Sequence, residues 1–385
     1  MNLSDLPRPR ALPFSGHLQR WGGQPLELIE EGAALGELFG LQLGLKTVVG
    51  YSPAWNKRVL TDLTTFASAG GFSAVVPYLA GGIILTDAPG HGPRRQLMNP
   101  GFGKAHLETL KTRIESALRE FNAQFFKAEF DALQWADGAV LAMLNAAYFS
   151  GEFPDKLLHA FLAPLRFPFP TPAYPRPLLF ARFDAELGRL AQRRLTQRQF
   201  TQGGDDLLAL LAKLPGGVRE ARISLAAGHD TTTHTLAWAA WHLAQFPEWH
   251  TPERHSTVIK ETLRLYPPGW MGSRRLTQDS EFEGVRLPKG ALALYSPYLS
   301  GRDATRWERA GEFWPQRWQA GFRPPAWSYL PFGGGERVCL GMHLANLILE
   351  TALASLPPLS ALRGNPAPRP GVTLGPSGAL WVRAN

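Results

Sequence analysis

A chain of 385 residues, 44% apolar and 19% charged, can bury one large core or two ordinary ones, which excludes a disordered tail. Its 39 glycines and 33 prolines predict many tight turns without reaching low complexity. A net charge of +8, carried by 31 arginines and nine lysines, favours an acidic partner, but no block of like charge marks a nucleic-acid-binding tract.

Met1 to Trp21 holds Pro7, Pro9 and Pro13 among polar residues and lacks the apolar region of a signal peptide or anchor. The longest apolar stretch, Phe72 to Leu85, is interrupted by Ser73, Pro77 and two glycines and is too short to cross a bilayer, so a cytoplasmic protein without a transmembrane anchor is expected. Leu38 to Gly50 reads as a hairpin and Ser52-Pro53 opens a helix through Leu60, a small β-rich part over about 38–60. Apolar residues recurring every three or four positions predict helices over Lys104 to Phe126 and Phe130 to Tyr148. Arg166 to Arg182 is packed with prolines and reads as a loop joining helices. Helical patterns return at Phe183 to Phe200 and Asp205 to Lys213, and a long helix spans Val218 to Gln245. Ser256 to Tyr266 is helical until Pro267-Pro268 stops it. Phe282 to Leu287 and Ala291 to Tyr295 read as strands, Arg302 to Pro331 as an irregular meander, and Leu340 to Leu356 as a last helix. No repeat or linker divides the chain, so the expectation is one mainly α domain, residues 1–385, with small sheets.

The lone cysteine, Cys339, excludes an internal disulfide. It follows Phe332-Gly333-Gly334-Gly335-Glu336-Arg337-Val338 and stands at the start of an apolar helix, beside an arginine. Helix-end N–H groups and a nearby cation favour a thiolate, and the glycines let the backbone approach something bulky. A thiolate needs an electrophile or a metal: a hydrolase would pair Cys339 with His343, four residues on, whereas an iron site would need a large apolar slot.

The segment resembles the cysteine loop of the cytochrome P450 family, the haem-thiolate monooxygenases, Phe-Gly-x-Gly-x-Arg-x-Cys-x-Gly, matching at Phe332, Gly333, Gly335, Arg337, Cys339 and Gly341. The resemblance implies a helix-rich fold with haem b (iron protoporphyrin IX) buried between the long kinked helix and the cysteine-loop helix. It makes Cys339 the axial iron ligand, packs Phe332 beside it and pairs Arg337 with a haem propionate. Glu261-Thr262-Leu263-Arg264, followed by Leu265-Tyr266-Pro267-Pro268, and Phe313-Trp314-Pro315-Gln316-Arg317-Trp318 resemble the family segments that supply a buried triad, Glu261, Arg264 and Arg317, holding the meander against the cysteine loop. Ala227-Gly228-His229-Asp230-Thr231-Thr232 is a poor helix former inside an apolar helix and reads as a local break opposite a ligand. It is similar to the family's oxygen-binding kink, in which Ala227 and Gly228 leave room for O₂, Thr231 hydrogen-bonds it and Asp230 relays protons, with His229 a packing or surface residue. His91 and Arg95, four apart, resemble a propionate-binding pair, and Arg274 stands where the family places another such arginine, with Arg275 a competing choice. Gly301 departs from the pattern, standing where a histidine commonly precedes Arg302, and Ile348 stands where a glutamate is common.

The candidate pocket residues Val75, Val76, Leu79, Trp270 and Met271 are apolar and favour a large hydrophobic substrate. The run Tyr266-Pro267-Pro268-x-Trp270 with Arg274-Arg275-Leu276 looks like the compact bacterial carotenoid ring hydroxylases of this family. Fatty acid or terpenoid hydroxylation is the alternative. With no fused flavin or iron–sulfur region, electrons are expected from a separate acidic ferredoxin or flavodoxin with its reductase, suited to the +8 charge. A peroxide-driven hydroxylase of the same fold is a rival, though those that use a substrate carboxylate lack the Asp230-Thr231 pair. A non-enzymatic haem sensor and a haem-free cysteine hydrolase are readings from other classes.

Overall fold

The computed structural model describes residues 1–71, 81–163, 176–196, 205–319 and 321–385. Helices α1 (Leu18–Gly23) and α2 (Pro25–Ala33) precede the hairpin β1 (Leu38–Gln42) and β2 (Lys46–Gly50), then α3 (Pro53–Thr61) and β3 (Phe66–Ala67). Next come α4 (His91–Phe102), α5 (Lys104–Phe125), β4 (Glu129–Asp131), α6 (Ala132–Phe149), α7 (Asp155–Leu162), α8 (Pro177–Thr196), α9 (Leu207–Leu211), α10 (Gly217–Gln245) and α11 (Pro252–Leu265). Strands β5 (Gly272–Leu276), β6 (Ser280–Phe282), β7 (Val285–Leu287) and β8 (Leu292–Tyr295) lead into the short α12 (Pro297–Ser300). After the meander, α13 (Met342–Ala354) is followed by β9 (Leu359–Gly364), β10 (Pro368–Pro370), β11 (Leu374–Pro376) and β12 (Leu380–Ala384).

These elements form two compact units, one of Met1–Gly92 with Leu263–Cys339 and one of Pro93–Thr262 with Leu340–Asn385. In the first, a five-stranded sheet has the order β1-β2-β8-β5-β3, with β2 and β8 parallel and the other pairs antiparallel. Ser52 caps α3 by accepting from the Trp55 N–H, and Pro53 pre-sets the first turn. That fixes Trp55 in a core with Val48, Phe66, Leu276 and Leu330, where its indole N–H donates to the Leu294 carbonyl at 2.8 Å. In the second unit α10 packs along α6 and α13, and α6 along α5, around Trp135, Val140, Leu236 and Trp238.

Several boundaries differ from expectation. The proline-rich stretch expected to be loop to Arg182 turns helical at Pro177, because a proline at the first helical position forfeits only an N–H that has no intrahelical partner. The rest of that call, residues 164–175, lies outside the described residues, as do 197–200 of the helix expected after it. Phe282 to Leu287 is not one strand: Glu283 and Gly284 take positive φ and fold β6 back on β7. The long helix is unbroken from Gly217 to Gln245; instead of interrupting it, Thr231 donates its hydroxyl to the Ala227 carbonyl at 2.8 Å, one turn back.

Candidate functional site

In the first unit the cysteine loop is shaped by its glycines. Gly333 and Gly335 hold φ of +70° and +63°, the left-handed region that costs an L side chain about 1–2 kcal/mol. A Cβ on Gly334 would stand 2.6 Å from the Trp327 ring, and one on Gly335 2.8 Å from the Leu60 carbonyl oxygen. The Cys339 N–H donates to the Phe332 carbonyl at 2.8 Å, closing the loop and leaving Cys339 exposed and outside any disulfide, with Phe332 half-buried. Helix α13 begins three residues later, after Gly341 at its N-cap.

Two guanidinium groups converge in the same unit. Arg337 donates through Nη2 to Asp87 Oδ1 at 2.6 Å, and its side chain is 6% exposed. Burial lowers its pKa, the neighbouring Arg274 charge adds to the depression, and the Asp87 carboxylate opposes both. Arg274 is buried, donates through Nη1 to the Ser273 carbonyl and lies over the Tyr295 ring. The Nε atoms of Arg274 and Arg337 have no hydrogen-bond partner among the described residues. Two neighbouring cations, only one of them bonded to a carboxylate and each with an orphaned Nε donor, fit a group that brings carboxylates of its own. Asp87 was not singled out from the sequence. It accepts from the Ser68 and Ala69 N–H groups at 2.8 Å each, which aims it at Arg337; its only sequence signal was its place four residues before His91. His91 is buried at the start of α4, and Arg95, one turn on, donates to Asn99 Oδ1 at 3.0 Å. Arg275, the competing choice, is only half-buried.

Arg264 and Arg317 are structural in geometry. Arg264 donates to the carbonyls of Gly301, Ala310 and Glu312 at 2.5, 2.7 and 2.8 Å, and Arg317 to those of Glu308 and Arg309 at 2.6 and 3.2 Å. Both cations lie over the Trp307 ring, so the meander is gripped through its backbone. Glu261 is fully buried on α11. A Cβ on Gly301 would stand 2.3 Å from the Arg264 carbonyl oxygen, which explains why no histidine occupies that position. Trp270 is buried and packs on Trp21 with ring centroids 5.8 Å apart, while Met271 is half-buried. Val75, Val76 and Leu79 lie outside the described residues.

In the second unit, α10 is buried at most positions but opens along one stripe. Ala227 is exposed, no atom of the described residues beyond the helix's own backbone lies within 4 Å of where a Cβ on Gly228 would be, and Thr231 is half-buried. Beneath the stripe His229 and Asp230 are buried, with Nδ1 of the imidazole 3.0 Å from Asp230 Oδ1. Among the described residues no cluster of three or more His, Cys, Asp or Glu could hold a metal ion.

Comparison with known proteins accords with these features. A family model described as Cytochrome P450 matches residues 256–356. Cyclooctatin synthase of Streptomyces melanosporofaciens is 26% identical, covering 96% of this chain and 93% of its own. Pentalenene oxygenase of Streptomyces avermitilis is 28% identical over 90% and 89%. Among solved structures, cyanobacterial CYP120A1 with bound retinoic acid superposes with a TM-score of 0.83, covering 98% of this chain and 99% of its own at 22% identity, a likeness of fold.

Proposed function

We propose that the chain is a cytochrome P450 monooxygenase with a haem b cofactor, and that it hydroxylates a carotenoid ring with electrons from an acidic ferredoxin or flavodoxin. The observation that carries the assignment of residues is the pair of buried, incompletely bonded guanidiniums, Arg274 and Arg337, in the unit whose glycine loop presents Cys339.

Haem, when bound, would supply the reductive activation of O₂ that gives one oxygen atom to the substrate and the other to water, a chemistry that a thiolate ligand would favour. Cys339 would be that ligand. Arg274 and Arg337 would neutralise the propionates, His91 and Arg95 would add donors, and Phe332 would pack beside the sulfur. Ala227 and Gly228 carry no bulk on the open stripe of α10, which leaves room for O₂. Asp230 holds a proton in a buried position, and the Thr231 hydroxyl, now tied to the Ala227 carbonyl, is the donor that passes it on. Glu261, Arg264 and Arg317 keep the meander in place.

The carotenoid reading is supported by the Tyr266-Pro267-Pro268 and Arg274-Arg275 pattern and by the fold shared with CYP120A1, whose ligand is itself a β-ring polyene. The names of the two Streptomyces relatives favour a terpenoid as the second reading. Both predict a large apolar substrate. Incubation with NADPH, a ferredoxin and its reductase, offering β-carotene, a cyclic terpene and a long-chain fatty acid in parallel, separates them. Ring-hydroxylated β-carotene is expected; oxidation of the terpene or the fatty acid with β-carotene left unchanged contradicts the carotenoid reading.

A further inference from the structure

Asp230 is buried, so the protons it passes on must come from elsewhere. His229 is fully buried beside it, with Nδ1 3.0 Å from Asp230 Oδ1. The other nitrogen of that ring, Nε2, stands 3.4 Å from Asp137 Oδ1 on α6. The second oxygen of Asp137 stands 3.6 Å from Nε2 of His159 on α7, whose side chain is 54% exposed. A carboxylate thus sits between two imidazoles, one oxygen toward each, and the series runs from a buried acid to solvent. Asp137 and His159 also line an open cavity of about 400 Å³ together with Asp131, His234, Arg369 and Thr373.

From this geometry we propose that His159, Asp137 and His229 form a proton relay that recharges Asp230 from water in that cavity. It rests on the monooxygenase reading above. A proton passes from the cavity water through His159 Nε2 to Asp137 Oδ2. Rotation of the carboxyl about Cβ–Cγ presents it to His229 Nε2, and the ring releases its Nδ1 proton to Asp230 Oδ1. One proton has moved inward, and His159 and Asp137 regain their starting charge. His229 is left as the other neutral tautomer, which ring rotation resets. The 3.4 and 3.6 Å contacts exceed a hydrogen bond, and they shorten to about 2.7–2.9 Å once either partner carries the proton. The ionisable groups facing the path are Asp230 from α10, Asp137 from α6 and His159 from α7, with Asp131, His234 and Arg369 around the cavity. These residues touch neither substrate nor iron: they supply a group that does.

The test uses the haem-loaded chain with ferredoxin, reductase and β-carotene as probe. Asp137→Asn keeps the shape but cannot carry a proton in this way, and His159→Gln, at a half-exposed position, provides a second variant. Hydrogen peroxide delivers oxygen with its own protons, so the readout is the ratio of O₂-driven to peroxide-driven hydroxylation. A fall of about tenfold in that ratio and a larger solvent isotope effect on the O₂-driven rate are expected in Asp137→Asn. Independently of turnover, exchange of the His229 ring proton with water, followed by NMR of the ¹⁵N-histidine-labelled protein, slows by about tenfold. An unchanged ratio with unchanged exchange overturns the relay alone. A wild-type chain that oxidises the probe with neither oxidant overturns the monooxygenase reading as applied to β-carotene and the relay with it.

Discussion

Arg337 is bonded to Asp87 at one end of its fork and has an orphaned Nε. Arg337→Ala leaves the Asp87 carboxylate with two backbone N–H donors but without its paired guanidinium, at a cost of about 2 kcal/mol in urea unfolding of the apoprotein. The same variant loses haem faster to a scavenging apoglobin, whereas Arg337→Lys restores the charge but not the fork and recovers only part of the retention. Thr231→Ala removes the hydroxyl of the open stripe. It should still consume NADPH and O₂ but release more hydrogen peroxide per product formed, and a peroxide assay beside product analysis checks this. At this scale the glycines of the cysteine loop were legible because they answer to local needs of the backbone, positive φ at Gly333 and Gly335 and close approach at Gly334. Asp87 was not, because its meaning comes from a contact with a residue 250 positions away. His229 was placed as packing or surface; it is packed, and what it packs against, Asp137 from another helix, is visible only in the fold.

Among its described residues, the meander between α12 and the cysteine loop has no regular ladder apart from the short turn Pro315–Trp318, and depends on side-chain donors to its carbonyls. Arg264→Ala removes three such bonds and the stacking on Trp307, and should cost about 3–5 kcal/mol or prevent folding; limited proteolysis should then cut within 302–331 first. Gly335→Ala introduces both positive-φ strain and a 2.8 Å approach to the Leu60 carbonyl, so α3 and the loop must separate, and haem retention falls with little change in helix content by circular dichroism. Long amphipathic helices such as α5 and α10 could be read within a residue or two, because one face of each repeats apolar residues at helical spacing. Strand β5 could not: Gly-Ser-Arg-Arg-Leu has poor strand propensity and is ordered by pairing with β8 and β3. The same holds for β12, which is ordered by pairing with β9 and with the distant β4, whereas β10 and β11 pair with each other as a short local hairpin.

Two buried histidines tie the stability of the molecule to pH. Burial lowers His242 from 6.5 to about 3, and burial, with the nearby His250, lowers His255 to about 4. Below about pH 6.5 the unfolded chain takes up protons that the folded chain refuses, so the unfolded state binds more protons and stability falls as pH falls, down to the folded-state values. The thermal midpoint should therefore drop steadily between about pH 6.5 and 4.5, and His242→Leu should flatten that slope. A slope unaltered by the substitution contradicts the account of His242. The net charge of +8 belongs to the same scale: association with an acidic ferredoxin should slow steeply with added salt while haem content stays constant, measured by stopped-flow reduction. The proposed oxygen chemistry depends on a single proposed bond, from Cys339 to iron. The carbon monoxide difference spectrum of the dithionite-reduced protein reads that bond directly. A band near about 450 nm in the wild type, absent from Cys339→Ala, is the predicted result. The same band persisting in Cys339→Ala, or a wild-type chain that takes up no haem, contradicts it.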